Sequence, residues 1–194
     1  MILIIDNYDN VSYNLAQIVR QIKDDVLVKR ISELSVDEIK LMKPTHIIIS
    51  SGSESIQNMA PYKSIINEFK DSVAILGIGV AHQIIANIFG GTTRQGKKLM
   101  HGKQSNIHIA NGSKIFQDLP PSIEVARYHS FVLDKEKLVD ELFIIAEDED
   151  EEIMAIKHGK YEIYGVQFNP ESILTPKGNL IIKNFLSIGG DIYD

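Results

Sequence analysis

The chain of 194 residues contains no cysteine. That excludes disulfides, and it excludes a cysteine nucleophile anywhere in the fold. No apolar run approaches the ~20 residues needed to cross a bilayer as a helix. The segment Met1-Ile2-Leu3-Ile4-Ile5-Asp6 lacks the basic leader and cleavage pattern of a signal peptide, so the expectation is a cytoplasmic protein. No stripe of Lys and Arg stands out, and the net charge of −6 argues against a nucleic-acid surface. Lys97, Lys98 and Lys103 form only a small basic cluster, expected on a solvated loop. Neither His101 nor His129 has a second His or a carboxylate at metal-ligand spacing, so neither a metal nor another cofactor is expected. Linkers, internal repeats and low-complexity segments are missing as well, which predicts one domain over residues 1–194.

What is present is an ordinary globular composition, 44% hydrophobic and 24% charged, in a strand–helix rhythm. Ile2 to Ile5 is a short continuous apolar run, as in a buried parallel strand. Leu15, Ile18, Val19 and Ile22 then fall on one helical face. Val26–Val28 and Ile47–Ile49 read as strands, and between them Ser35 with Glu38 forms a capping box whose helix stops before Pro44. A helix over Ser64–Phe69 precedes a fourth strand at Ala74–Leu76. This alternation predicts an open parallel sheet with helices on both faces. In the second half, strands are expected around 106–109, 124–127, 143–146, 153–156 and 163–168, with the six acids Glu147–Glu152 at a solvated hairpin tip. Thr175 as N-cap and Pro176 at the first helical position would open a closing helix.

The most informative segment is Ala74-Ile75-Leu76-Gly77-Ile78-Gly79-Val80-Ala81-His82-Gln83. An apolar strand turns sharply into a helix, the layout of a nucleophile elbow, which exposes one reactive side chain at a helix N-terminus. Free N–H groups and the positive dipole end there stabilise a thiolate or an oxyanion. The central residue is Gly79, which has no side chain to react. A serine hydrolase built on Ser51 or Ser53 finds no G-x-S-x-G elbow. His129 and Ser130 are neighbours on a predicted strand and point to opposite faces, so they are not a triad pair.

The elbow resembles that of the class I glutamine amidotransferases, which reads Gly-x-Cys-x-Gly-His-Gln; Gly79 stands in the Cys position and Ala81 in that of the second Gly. The resemblance runs along nearly the whole chain and is nearest to the small subunits of anthranilate synthase and aminodeoxychorismate synthase. It is carried by Asp6-Asn7-Tyr8-Asp9 with Tyr13-Asn14-Leu15, by Met100-His101-Gly102-Lys103, by Arg127-Tyr128-His129-Ser130, and by Gly165-Val166-Gln167-Phe168-Asn169-Pro170-Glu171-Ser172. It implies an open, mostly parallel α/β sheet flanked by helices in flavodoxin-like layering, with extra antiparallel strands in the second half. Family chemistry needs a thiolate nucleophile, a His that moves the protons, a carboxylate that orients the His, and N–H groups for the oxyanion. By the same resemblance the base position holds Asn169, whose amide does not exchange protons near neutral pH, while the acid Glu171 is kept. The oxyanion loop, usually Ser-Pro-Gly-Pro-Gly, reads Ser50-Ser51-Gly52-Ser53-Glu54, with both prolines lost and an acid added.

The resemblance also implies a glutamine pocket from the Gly52 backbone, Gln83, and the backbone of Ser130 and Phe131. Gln83 and His82 equally fit a role in local hydrogen bonding. Tyr8, Tyr13, His101 and Lys103 are candidates for docking a chorismate-using synthase; ordinary loop and helix packing also accommodates the tyrosines. Three readings of function follow. In the first, the chain lacks glutaminase activity and supports such a synthase structurally or allosterically as its small subunit. In the second it is a sensor that binds glutamine without cleaving it. In the third it hydrolyses glutamine by an unfamiliar mechanism. No nucleic-acid or membrane partner is expected.

Overall fold

The computed structural model describes residues 1–7, 12–52 and 56–189. Among the described residues nine strands form one sheet in the order β2-β1-β3-β4-β9-β8-β7-β5-β6. The first five in that order are parallel: β2 (Val26–Arg30), β1 (Ile2–Asn7), β3 (His46–Ser51), β4 (Ala74–Gly79) and β9 (Ile163–Val166). The remaining four continue antiparallel: β8 (Ile153–His158), β7 (Leu142–Asp148), β5 (Thr93–Ile109) and β6 (Ser122–Leu133). The expected architecture is therefore observed, including the antiparallel second half.

Side-chain alternation in the central strands sets the layers. Ile2, Ile4 and Ile48 join an apolar cluster with Leu15 and Val19 of α1 (Ser12–Ile22) and Ile181 and Phe185 of α5 (Gly178–Leu186). Leu3, Ile5, Ile47 and Ile49 join a second one with Ile39 of α2 (Val36–Met42), Ile65 of α3 (Ala60–Phe69) and Ile84 of α4 (Val80–Ile88). Each of these side chains is almost wholly buried, and each contributes ~1.5–3 kcal/mol by leaving water. At α2 the capping box is closed: Ser35 Oγ accepts from Glu38 N at 3.2 Å, and Glu38 Oε2 accepts from Ser35 N at 2.8 Å.

Three local expectations are corrected. α5 begins at Gly178, not behind a Thr175 cap. Thr175 is buried, and its hydroxyl is spent on tertiary contacts, accepting from Ala126 N at 2.9 Å and donating to Asn169 O at 2.7 Å. Lys97, Lys98 and Lys103 lie not on a loop but on the 17-residue strand β5, interrupted by register shifts against β6. The acid run is not uniformly solvated: Asp148 and Glu152 are 6% and 1% exposed, while Glu147 and the turn between the two buried acids reach solvent.

The register aligns the carboxyl ends of the parallel strands. Asn7 pairs with Ser51, Ser51 with Gly79, and Ile78 with Val166. The ends of these strands therefore line up along one edge of the sheet, where open α/β sheets place their sites. Among the described residues no helix is long and apolar enough to cross a membrane.

Candidate functional site

The turn from β4 to α4 is a true elbow. Gly79 has φ 63° and ψ −118°, backbone that a residue with a β-carbon adopts only under strain, and the helix starts at the next residue without a side-chain cap. Among the described residues, a Cβ built on Gly79 would have no heavy atom within 4 Å. The strand's end thus offers the geometry of an exposed nucleophile with no nucleophile on it. Across the β4–β9 pair, a Cβ on Gly165 would sit 2.7 Å from His82 Nδ1, so a glycine there lets His82 tuck against the sheet.

Asn169 is held from three directions. Its N–H donates to Ala126 O at 3.0 Å, its carbonyl accepts from Thr175 Oγ1, and its Nδ2 donates to Glu171 Oε1 at 2.7 Å. Asn169 and Glu171 are both buried. The acid therefore orients a side chain at position 169, but that side chain is a carboxamide that neither accepts nor returns a proton in catalysis.

Gln83, one helical turn beyond Gly79, donates from Nε2 to Phe131 O at 2.8 Å and to Gln167 Oε1 at 2.9 Å. The structure thus joins Gln83 to the Phe131 backbone, and Gly52 leaves β3 beside the elbow. Gln83 Oε1 and Gln167 Nε2 remain buried without a hydrogen-bond partner among the described residues. Ser130 is half-buried, and the Phe131 side chain is exposed. His101 and Lys103 lie on β5, opposite Tyr128 and Arg127 of β6, away from the Gly79–Gln83 turn in sequence and strand; both are exposed. Tyr8, Ser53 and Glu54 lie outside the described residues, and Tyr13 is described only by its place in α1. Among the described residues no group of three or more His, Cys, Asp or Glu could hold a metal.

A buried charge network escapes a reading of the sequence. Arg127, 3% exposed, donates Nη1 to Asp148 Oδ2 at 2.6 Å, Nη2 to Glu152 Oε2 at 3.2 Å and Nε to His129 Nε2 at 3.0 Å. Asp148 Oδ1 accepts from the N–H groups of Asp150 and Glu152, and Glu152 Oε1 from Lys97 N at 2.6 Å. Lys97 and Lys98 both reach Asp150, so the basic cluster is the counterpart of the acidic turn. Of the two buried acids only Glu152 adjoins a strand expected from the sequence, and nothing local marks Asp148.

Both histidines beside the site are held neutral. Burial pushes His82 down to about 3, against an opposing polar contact with the Gly165 backbone that falls short of hydrogen-bond geometry; His129 depresses it further. Burial first, and then the Arg127 guanidinium, lower His129 to about 4, with Asp148 opposing. In the unfolded chain each imidazole takes up its proton near the ordinary value of 6.5. The unfolded state therefore binds more protons below that pH, and this stability, complete above pH 6.5, is lost as pH falls toward 4 and then 3. The expected slope is about 1.4 kcal/mol per pH unit for each histidine in its window. Urea unfolding at pH 7.5 and 5 checks it, and the slope should shrink in His82→Leu; a flat profile contradicts it.

An elbow at the carboxyl edge of a doubly wound sheet, an acid orienting the residue two before it on the neighbouring strand's exit, and a glutamine one helical turn into the elbow helix define a class of protein. The family model for "Glutamine amidotransferase class-I" matches residues 3–188, and the chain belongs to that family. Among its relatives, the "Anthranilate synthase component 2" of Cyanophora paradoxa is 43% identical over 188 residues, covering 96% of this chain and 98% of that one. The "Aminodeoxychorismate synthase component 2" of Escherichia coli (strain K12) is 39% identical over 186 residues, covering 96% and 99%. In fold, the chain is similar to the crystal structure of a "putative gmp synthase subunit a protein" from Thermoplasma acidophilum, with TM-score 0.85, 24% identity, and coverage of 95% of this chain and 91% of that one.

Proposed function

We propose that this chain is a glutamine amidotransferase subunit of the anthranilate or aminodeoxychorismate synthase type that has lost glutaminase activity and acts as a structural or regulatory partner of a chorismate-using synthase. One observation carries the reading: at the two positions where the family's chemistry happens stand Gly79, with no side chain, and Asn169, a carboxamide tied to Glu171 at 2.7 Å. Neither can attack an amide carbon or transfer its proton. A subunit in this state sets its partner's conformation or stability by binding its states differently, and the partner draws on free ammonia. The relatives' names, second components of synthases, support the partner. So does the β5–β6 ribbon, on which Leu99 and Tyr128 are 59% and 49% exposed beside His101 and Lys103.

The test is purification of the tagged chain from its source cells. A synthase should co-purify in stoichiometric amount, and the complex should turn over chorismate with ammonia but not with glutamine. An abundant, folded bait that brings down no synthase contradicts the proposal.

A second reading, a glutamine sensor, is supported by the buried Gln83 Oε1 and Gln167 Nε2, which lack partners among the described residues that a carboxamide ligand would supply. It requires saturable glutamine binding by the isolated chain, and calorimetry showing none removes it.

A further inference from the structure

We infer that two copies of this chain join edge to edge through β2, antiparallel about a two-fold axis at Leu27, so that the sheet runs on from one copy into the other. β2 ends the sheet: it pairs with β1 and, among the described residues, with no other strand. Such an edge carries a row of backbone donors and acceptors that another strand can take up. Ile2 N donates to Asp25 O at 2.8 Å, which turns the polar backbone groups of Asp25, and by alternation those of Leu27 and Lys29, toward β1. Those of Val26 and Val28 therefore face outward. Val26 N is engaged by Asp24 O at 3.1 Å and Arg30 N by Glu33 Oε2 at 3.4 Å. The outward groups that remain on this edge are Val28 N–H and the carbonyls of Val26 and Val28.

The sequence of the edge selects its partner. Asp24-Asp25-Val26-Leu27-Val28-Lys29-Arg30 is mirrored with opposite charge about Leu27: two acids precede the apolar centre and two bases follow it at the same spacing. Laid antiparallel on a second copy with Leu27 opposite Leu27, the segment sets Asp25 opposite Lys29 and Asp24 opposite Arg30. The two-fold makes each of these contacts twice. Opposite charges directly across a ladder stabilise it, and like charges destabilise it. The backbone demands the same register. Val26 and Val28 become the hydrogen-bonded pair, with Val28 N donating to Val26 O of the second copy, and Leu27 meets Leu27 as the closer, non-hydrogen-bonded pair. A slip of one residue would set outward groups against inward ones, and a slip of two would lose the charge match.

The side chains suit a covered strand. Val26 to Lys29 are half-buried, while Asp24, Asp25 and Arg30 are exposed. Val26 and Val28 lean on the cluster that contains Leu15 and Phe185, and Leu27 on the one that contains Ile39 and Ile65. Pairing extends both apolar layers across the two-fold. Asp25 lies 3.4 Å from the Met1 amine, but its side chain is 79% exposed, and a pair of that kind is too weak to hold it from Lys29. One short strand is a small interface, so the association is weak and concentration-dependent. The inference goes beyond the proposed subunit role and holds with or without a synthase.

The absence of cysteine from the chain supplies the test. Leu27→Cys gives each copy one thiol, and in the paired state the two Cα atoms stand about 4.5 Å apart, within disulfide reach. Lys29→Cys is the control, because its thiol faces Asp25 and its counterpart lies ~14 Å away along the ladder. Under native conditions with oxidised glutathione, which takes the two electrons and two protons of the thiol pair, Leu27→Cys should cross-link to a dimer and Lys29→Cys should not. Sedimentation equilibrium of the unmodified chain should show a monomer–dimer equilibrium that added salt weakens. Asp25→Lys and Lys29→Asp each set like charges across the two-fold and should weaken association about tenfold or more. Mixed in equal amounts, these two variants regain opposite charges at both contacts and should associate again. Thermal melts by circular dichroism confirm that each variant is folded, and the charge variants decide the matter alone if Leu27→Cys is not. Equal cross-linking at both positions, none at either, or a mixture no more associated than its components overturns the inference. No synthase and no glutamine enter the experiment, so its failure leaves the docking proposal standing.

Discussion

Gly79→Cys and Asn169→His made together should give a chain that releases glutamate from glutamine on the order of 10²-fold or more faster than the unmodified protein, while either change alone should stay near background. The elbow has the room, since among the described residues nothing lies within 4 Å of the Cβ position. A thiol there would sit at the N-terminus of α4, where the dipole favours the thiolate. The backbone at φ 63° charges about 1–3 kcal/mol of strain to a residue with a β-carbon, so Gly79→Cys should also lower stability by that amount. At 169 the site is prepared for an imidazole: Glu171 already orients the side chain at 2.7 Å, and the backbone is clamped by Ala126 and Thr175. Nucleophile and base act as a unit, which is why the single changes yield little. The gain stays partial because the 50–54 loop keeps its own sequence. Coupled detection of glutamate across the four proteins reads the result, and a double variant no faster than the singles contradicts it.

The second large effect falls on stability. Arg127→Ala should cost about 3–5 kcal/mol, because it strands the buried carboxylates of Asp148 and Glu152. For a chain of this size that is roughly 6–20 °C in melting temperature. Lys98→Ala removes an ion pair of the same hairpin, at 2.6 Å to Asp150, but its side chain is 68% exposed. Water screens that pair, and the loss should stay below about 1 kcal/mol. Melting curves of the two variants side by side make the comparison. Equal losses would mean that burial does not set the worth of these pairs.

The difference between those two pairs is also why part of the molecule was legible in the sequence and part was not. Ile2–Ile5, Ile47–Ile49 and Ala74–Leu76 announce buried parallel strands because both faces of each are covered, and that needs only local apolar runs. The Ser35–Glu38 cap is legible because both partners lie within one turn. Thr175 carries the same type of cap signal, yet its hydroxyl is claimed by Ala126 and Asn169, contacts across 49 and 6 residues that no local pattern contains. The six-acid run reads as uniform from composition alone. Its split into a solvated turn and two buried acids depends on Arg127, more than twenty residues earlier on another strand. At the site, the motifs point to Gly79, Asn169, Glu171 and Gln83. The internal engagement of Gln83 with Phe131 O emerges only from the packed sheet.

The central claim, that the site has kept its frame and lost its chemistry, is tested most directly by glutamate release from L-glutamine by the unmodified chain, alone and in its purified synthase complex. The account predicts a rate indistinguishable from a protein-free control in both cases. Release above that control that tracks the chain's concentration and disappears on Gln83→Ala would contradict it, and would mean that glutamine is hydrolysed here without the family's nucleophile and base.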